Sequence, residues 1–193
     1  MASLFRTPRW LRAMTMIGLS GRLRQTRCAG LISLGVGISV FVVCGLIGLR
    51  INSSPSLPIG LYVTTRGDRA NLVEFCPAEP FAGLAIERGY RDAGVCRDGG
   101  APLLKPVVAI AGDVVDCSVR GISVDGNLLP NTAPIPMDTR GRALTPWPFG
   151  RYVVQPGTVW VASSFHPRSF DSRYFGPIQV SAIRGHVRAL LTW

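Results

Sequence analysis

The feature that most constrains this chain is a run of 19 residues without a charge, "LISLGVGISVFVVCGLIGL", from Leu31 to Leu49. As an α-helix rising about 1.5 Å per residue it would extend about 28 Å, close to the ~30 Å hydrocarbon core of a bilayer. Six arginines (Arg6, Arg9, Arg12, Arg22, Arg24 and Arg27) and no acidic residue precede it. By the positive-inside rule that side stays in the cytoplasm. A cleaved secretory signal would have an apolar core of roughly 7–15 residues and a small-residue cleavage site. Here the run is longer and "RINSSPS" follows it. A lipoprotein would place its cysteine at the end of the run, whereas Cys44 sits inside it, behind Val43. The expected organisation is a cytoplasmic Arg-rich tail over 1–30, a retained transmembrane helix over 31–49, and a domain over 50–193 beyond the inner membrane, in the periplasm of a Gram-negative cell.

The net charge of +10 is unevenly placed, because residues 50–193 carry 15 basic and 11 acidic residues. This part has no aromatic-interleaved basic stripe and no zinc-finger spacing, so no nucleic-acid partner is expected. The two histidines, His166 and His186, lie 20 residues apart, and no Cys/His cluster has metal-ligand spacing. Neither a metal nor a cofactor is expected. Cys76, Cys96 and Cys117 fall in the outer domain, where disulfides persist. They allow one bond and a leftover. Cys76–Cys96 is the preferred pairing, since the segment between them is rich in turn residues, but the other pairings stay open.

Short apolar runs punctuated by turns dominate the outer domain. Strands are predicted at 60–65, 71–75, 103–112, 113–119, 121–124, 151–155, 158–163 and 186–192. Arg120-Gly121, Asp125-Gly126 and Pro156-Gly157 supply turn signals between them. The stretch 78–90 suits a short helix. Residues 130–150, with prolines at 130, 134, 136, 146 and 148, read as a long irregular excursion. The fold class is therefore mainly β, as coiled sheets or an open barrel.

Two residues stand out chemically. Of 21 basic residues, 20 are arginine and one is lysine, Lys105. It lies in an apolar run, "PLLKPVVAI". A lysine acts as a base only when neutral, and at its ordinary pKa of ~10.4 about one in 2,500 is neutral at pH 7. Burial in such a strand lowers the pKa, whereas an arginine would stay charged. Ser56 is the second. It stands in "SSPSLPIG", braced by Pro55 and Pro58, seven residues after the apolar segment ends. A serine hydroxyl needs a base to become a nucleophile, and lysine is one known partner. A histidine-based arrangement has less in its favour: His166 and Asp171 sit five residues apart in one loop, and no Gly-x-Ser-x-Gly turn occurs.

Three blocks then resemble a known family. "SPSLPIGLY" (54–62) is similar to the nucleophile box of bacterial type I signal peptidases, and more closely to that of their conjugal-transfer branch, TraF. "KPVVAIAGDVV" (105–115) resembles the lysine box, with Gly-Asp starting seven positions after the base. "SFHPRSFDSRYFGPI" (164–178) resembles the last box, with its Ser-x-Asp-Ser-Arg core at 169–173. Signal peptidases have one more residue between nucleophile and proline, and their Gly-Asp-Asn-Arg lead-in is here "SFHPR"; both departures favour the TraF branch. The resemblance implies that Ser56 is the nucleophile and Lys105 the general base. It implies that Ser54 and the Ser56 N–H donate to the oxyanion, that Ser169 orients the lysine amine, and that Asp171 and Arg173 brace the site.

The function expected on these grounds is a membrane-anchored serine endopeptidase with a Ser56–Lys105 dyad. Its expected partners are a pilin or another signal-peptide-bearing precursor in the membrane, and the conjugative transfer (type IV secretion) machinery. The resemblance points to conjugative pilin maturation, in some relatives with cyclisation. The alternatives are a general type I signal peptidase and a non-catalytic scaffold of a conjugation or secretion channel. At ~3.3–3.6 Å per residue, the segment from Leu49 to Ser56 spans at most about 25 Å. That short tether would keep the serine near the membrane surface, and two partners held in one bilayer meet at raised effective concentration.

Overall fold

The computed structural model describes residues 35–37, 39, 45, 48–65 and 71–193. The chain divides into two compact units, Met1–Ile47 and Gly48–Trp193. In the first, residues 35–37, 39 and 45 are helical. The arginine tail and the rest of the expected membrane span lie outside the described residues. Among the described residues, no helix is long and apolar enough to cross a membrane. Leu49, read above as the end of the span, stands instead in a strand. This strand, β1 (Leu49–Asn52), pairs antiparallel with β2 (Gly60–Thr65), placing Leu49 opposite Val63. Gly48 turns the chain into it at φ +66°, a conformation open to glycine at little steric cost. The apolar composition continues across this turn, which is why the boundary was hidden in the sequence.

The second unit is mainly β. Its further strands are β3 (Leu72–Phe75), β4 (Leu103–Ala109), β5 (Val114–Ser118), β6 (Gly121–Val124), β7 (Asn127–Leu128), β8 (Gly150–Val153), β9 (Thr158–Val161), β10 (Ile178–Gln179) and β11 (Ile183–Thr192). They form a seven-stranded sheet in the order β1-β2-β11-β3-β4-β9-β10 and a four-stranded sheet in the order β7-β6-β5-β8. The pairings are antiparallel throughout. The expected runs at 60–65 and 121–124 coincide with β2 and β6. The two-residue strands β7 and β10 were not anticipated, since alternation cannot register in so short a segment.

Local chemistry explains the connections. Asp125 and Gly126 both have positive φ (48° and 83°), and Val124 pairs with Asn127 across them. Two positive-φ residues form the turn whose twist suits a two-residue hairpin. At Gly60 a Cβ would stand 2.2 Å from the Leu191 carbonyl oxygen, so β2 and β11 approach closely only because that side chain is missing. The helix Phe81–Glu87 falls inside the stretch read as helical. Between β7 and β8 the chain is irregular apart from one bridge, Met137 to Ala143.

Strand β9 joins the two sheets' cores. Val159 and Val161 pack with Val73, Phe75 and Leu103, whereas Trp160 and Ala162 pack with Val115, Ile122 and Ala109. Both faces of "TVWVA" are therefore buried, which explains its unbroken apolar character. Each fully buried Val or Phe contributes about 1.5–3 kcal/mol over leaving it exposed. This double-sided packing fixes the neighbouring β4, and with it the backbone that carries Lys105.

Cys76 and Cys96 form a disulfide, and Cys117 is free and buried. The bond closes a loop that includes the helix Phe81–Glu87 and Tyr90. Closing a loop of 20 residues stabilises by about 3 kcal/mol in the chain-entropy account. Replacing Cys76→Ser should lower unfolding stability by roughly that amount. Denaturant titration of the oxidised domain beside the variant checks it; equal midpoints would contradict the expectation.

Candidate active site

The loop between β1 and β2 brings Ser56 to Lys105. The Lys105 amine donates a hydrogen bond to Ser56 Oγ at 2.6 Å. Both residues are buried, at 6% and 4% exposure. The Lys105 backbone is held opposite Val73 in the β3–β4 ladder. Ser54 Oγ stands 3.0 Å from Ser56 Oγ, and the Ser56 N–H reaches Ser54 Oγ only at 3.4 Å. The Ser56 N–H is thus weakly engaged, and it and the Ser54 hydroxyl could both turn to a carbonyl oxygen entering from the cleft. That cleft has a volume of about 600 Å³ and is lined by Ser54, Ser56, Lys105 and Ser169 together with residues of the 130–150 excursion such as Ile135 and Leu144.

Asp171 and Arg173 form a buried ion pair, with Nε to Oδ1 at 2.8 Å and the second guanidinium arm to Oδ2 at 3.0 Å. Asp171 also caps the short helix Ser172–Phe175 by accepting from the Arg173 N–H. Burial pushes the Lys105 amine down to about 8. Asp171 opposes that shift and Arg173 supports it. Since the carboxylate is already paired with the guanidinium, it offers the amine little net charge, and desolvation dominates. At a pKa of about 8 roughly one amine in ten is neutral at pH 7, far more than for a solvated lysine.

Ser169 and His166 stand at the same cleft. Ser169 is buried and lines the same cleft, but its hydroxyl has no hydrogen-bond partner. The hydrogen bond of the lysine amine goes to Ser56 Oγ. His166 lines the cleft too, with Nδ1 accepting from the Arg168 N–H.

Two residues at the site went unnoticed in the sequence. Asn52 Nδ2 donates to the carbonyls of Ser54, Leu57 and Pro58, and Asn52 Oδ1 accepts from the Ser54 N–H. Ser163 Oγ donates to the Ser56 carbonyl. Asparagine just before a turn is a weak signal for such a role. A serine ending an apolar strand carries none.

Comparison with known proteins places the chain. Residues 25–193 match the family model described as signal peptidase, peptidase S26. The chain belongs to the peptidase S26 family. It is a serine peptidase by that membership. Among relatives of this family, a plasmid transfer protein TraF of Escherichia coli is 36% identical over 178 residues, covering 89% of this chain and 99% of the relative. A conjugal transfer protein TraF of Agrobacterium fabrum is 39% identical over 165 residues, covering 82% and 92% respectively. Among solved structures, a signal peptidase I from Enterococcus faecalis is 16% identical with a TM-score of 0.34, covering 64% of this chain and 97% of that one.

The lysine's environment has a consequence for stability. Its folded pKa of about 8 lies below the ordinary value of 10.5. Between those values the unfolded chain binds more protons, so stability should rise with pH there. Below pH 8 the buried charge destabilises the fold by about 3 kcal/mol. Lys105→Met should therefore raise stability at pH 7 by up to that much, with the gain shrinking toward pH 10.5. Urea titrations at pH 7 and pH 10 check this; a variant less stable at pH 7 would show that the amine is not under a desolvation penalty.

Proposed function

We propose that this chain is a membrane-anchored endopeptidase in which Ser56 is the nucleophile and Lys105 its general base, acting on a membrane-bound secreted precursor. The observation that carries this reading is the buried Lys105 amine 2.6 Å from Ser56 Oγ, with its pKa lowered to about 8. The neutral amine accepts the Ser56 proton as Oγ attacks the scissile carbonyl carbon. Charge then develops on the carbonyl oxygen, where the Ser56 N–H and the Ser54 hydroxyl donate. The carbon–nitrogen bond breaks, the lysine passes its proton to the leaving amine, and an acyl ester remains on Ser56. Water resolves the ester, or an amine of the substrate does so and closes a ring.

The apolar segment ahead of β1 supports a single-span inner-membrane anchor with the N-terminus in the cytoplasm and the peptidase domain in the periplasm. The TraF relatives are plasmid and conjugal transfer proteins by name. On that basis the substrate is a conjugative pilin precursor and the wider partner is the transfer machinery.

Co-expression with a candidate prepilin, followed by mass measurement, tests this. The expected product is trimmed, and a product lighter than the trimmed linear chain by one water indicates cyclisation. Ser56→Ala and Lys105→Met should each reduce processing by roughly 10³-fold or more while leaving the domain folded. The wild-type rate should rise with pH through a midpoint near 8. Processing that survives Lys105→Met would overturn the dyad. Rescue of a strain lacking its own leader peptidase would instead favour a general signal peptidase.

A further inference from the structure

Asp171 and Arg173 clamp a third residue, and that residue reaches the nucleophile. The Ser163 N–H donates to Asp171 Oδ2 at 3.0 Å, and the Ser163 carbonyl accepts from the Arg173 guanidinium at 3.0 Å. Both main-chain groups of Ser163 are thus held by one ion pair. The side chain is fully buried. Its Oγ accepts from the Phe165 N–H at 3.1 Å. A hydroxyl has a single proton, and the Ser56 carbonyl can only accept. The proton of Ser163 therefore points at the Ser56 carbonyl.

From the opposite side, the Asn52 amide holds the carbonyls of Ser54, Leu57 and Pro58. Tyr62 OH adds a second donor to the Pro58 carbonyl at 2.7 Å. Prolines at 55 and 58 remove two N–H groups from this loop, so it cannot rely on its own backbone donors. Side chains of β1, β2 and the segment after β9 supply them instead. With the carbonyls of Ser54, Ser56, Leu57 and Pro58 all held, the loop has little freedom to carry Ser56 away. Its Oγ stays against Lys105, and its N–H stays next to Ser54 Oγ.

We propose that Ser163 and Asn52 are positioning residues for the reaction, and that the Asp171–Arg173 pair acts on Ser56 through Ser163. This rests on the peptidase reading above. Neither residue exchanges a proton with substrate. Each holds the nucleophile and the oxyanion donor in one geometry, and misplacement of reacting groups by about 1 Å costs on the order of 100-fold in rate.

The test uses single-turnover acyl transfer from a quenched fluorescent peptide with a small residue before the scissile bond. At saturating enzyme, first-order rates of this kind do not depend on the fraction of active protein. Ser163→Ala and Asn52→Ala should slow the step roughly 10–100-fold, leave the enzyme concentration at half-maximal rate within about twofold, and keep the pH midpoint of the wild type. Ser163→Thr, which retains the hydroxyl, should recover most of the rate. Hydrogen exchange of residues 53–59 should accelerate in the alanine variants, with β4 unchanged. Wild-type rates in Ser163→Ala, or a shifted pH midpoint, would overturn the assignment. So would slowing that tracks lost thermal stability, or unchanged exchange in the loop. A wild-type protein that does not cleave, or cleavage that persists in Ser56→Ala, would sink the peptidase reading itself and this inference with it.

Discussion

The structure turns on an amine that is kept out of water beside a hydroxyl. An ammonium in an apolar interior is expensive, and the protein does not offset that expense with a free carboxylate. Asp171, the acid whose charge acts on Lys105, is bound in two places by Arg173. The lysine is therefore pushed toward its neutral form, which is the form that can take a proton. Much of the neighbouring architecture follows from this constraint. The strand that carries the lysine is fixed between β3 and β9, and β9 is packed on both faces. An amine that stays dry needs a backbone that does not open.

Ser56 is held on a different principle. It sits on a loop, not in a ladder, and its carbonyls are tied by side chains from two directions. The same ion pair that spares the lysine a counter-charge also grips Ser163 by its N–H and its carbonyl. A buried ion pair is weak evidence for stability, because desolvation consumes much of the Coulombic gain. Its value here lies in geometry: a bidentate guanidinium–carboxylate contact has one preferred arrangement, and it passes that arrangement on to the residue between the ion pair and the serine.

How much of this was legible differs from residue to residue. Ser56 and Lys105, which the fold brings together, stood out because each was chemically odd for its surroundings: a serine between prolines, and a single lysine in an apolar run among arginines. Cys76–Cys96 was favoured by the turn residues it encloses. Strands with clear alternation were found close to their true limits. Leu49 was misassigned because apolar residues serve a membrane helix and a strand equally well, and only the turn at Gly48 separates them. Ser169 was given an orienting role by resemblance, and which atom a hydroxyl meets depends on distances of tenths of an ångström that no motif encodes.

What the sequence determined by itself was chemistry and broad class: an apolar segment, a mainly β domain after it, and a hydroxyl and an amine of unusual placement. These follow from composition and spacing along the chain, which local physics reads directly. What only the tertiary structure decided was who holds whom. Ser56 and Ser163 are 107 positions apart, and Asn52 and Ser163 look like ordinary polar residues at strand ends. Their roles arise because sheet register carries distant backbone into hydrogen-bond range, and such register is set by the packing of whole strands rather than by any short stretch of residues.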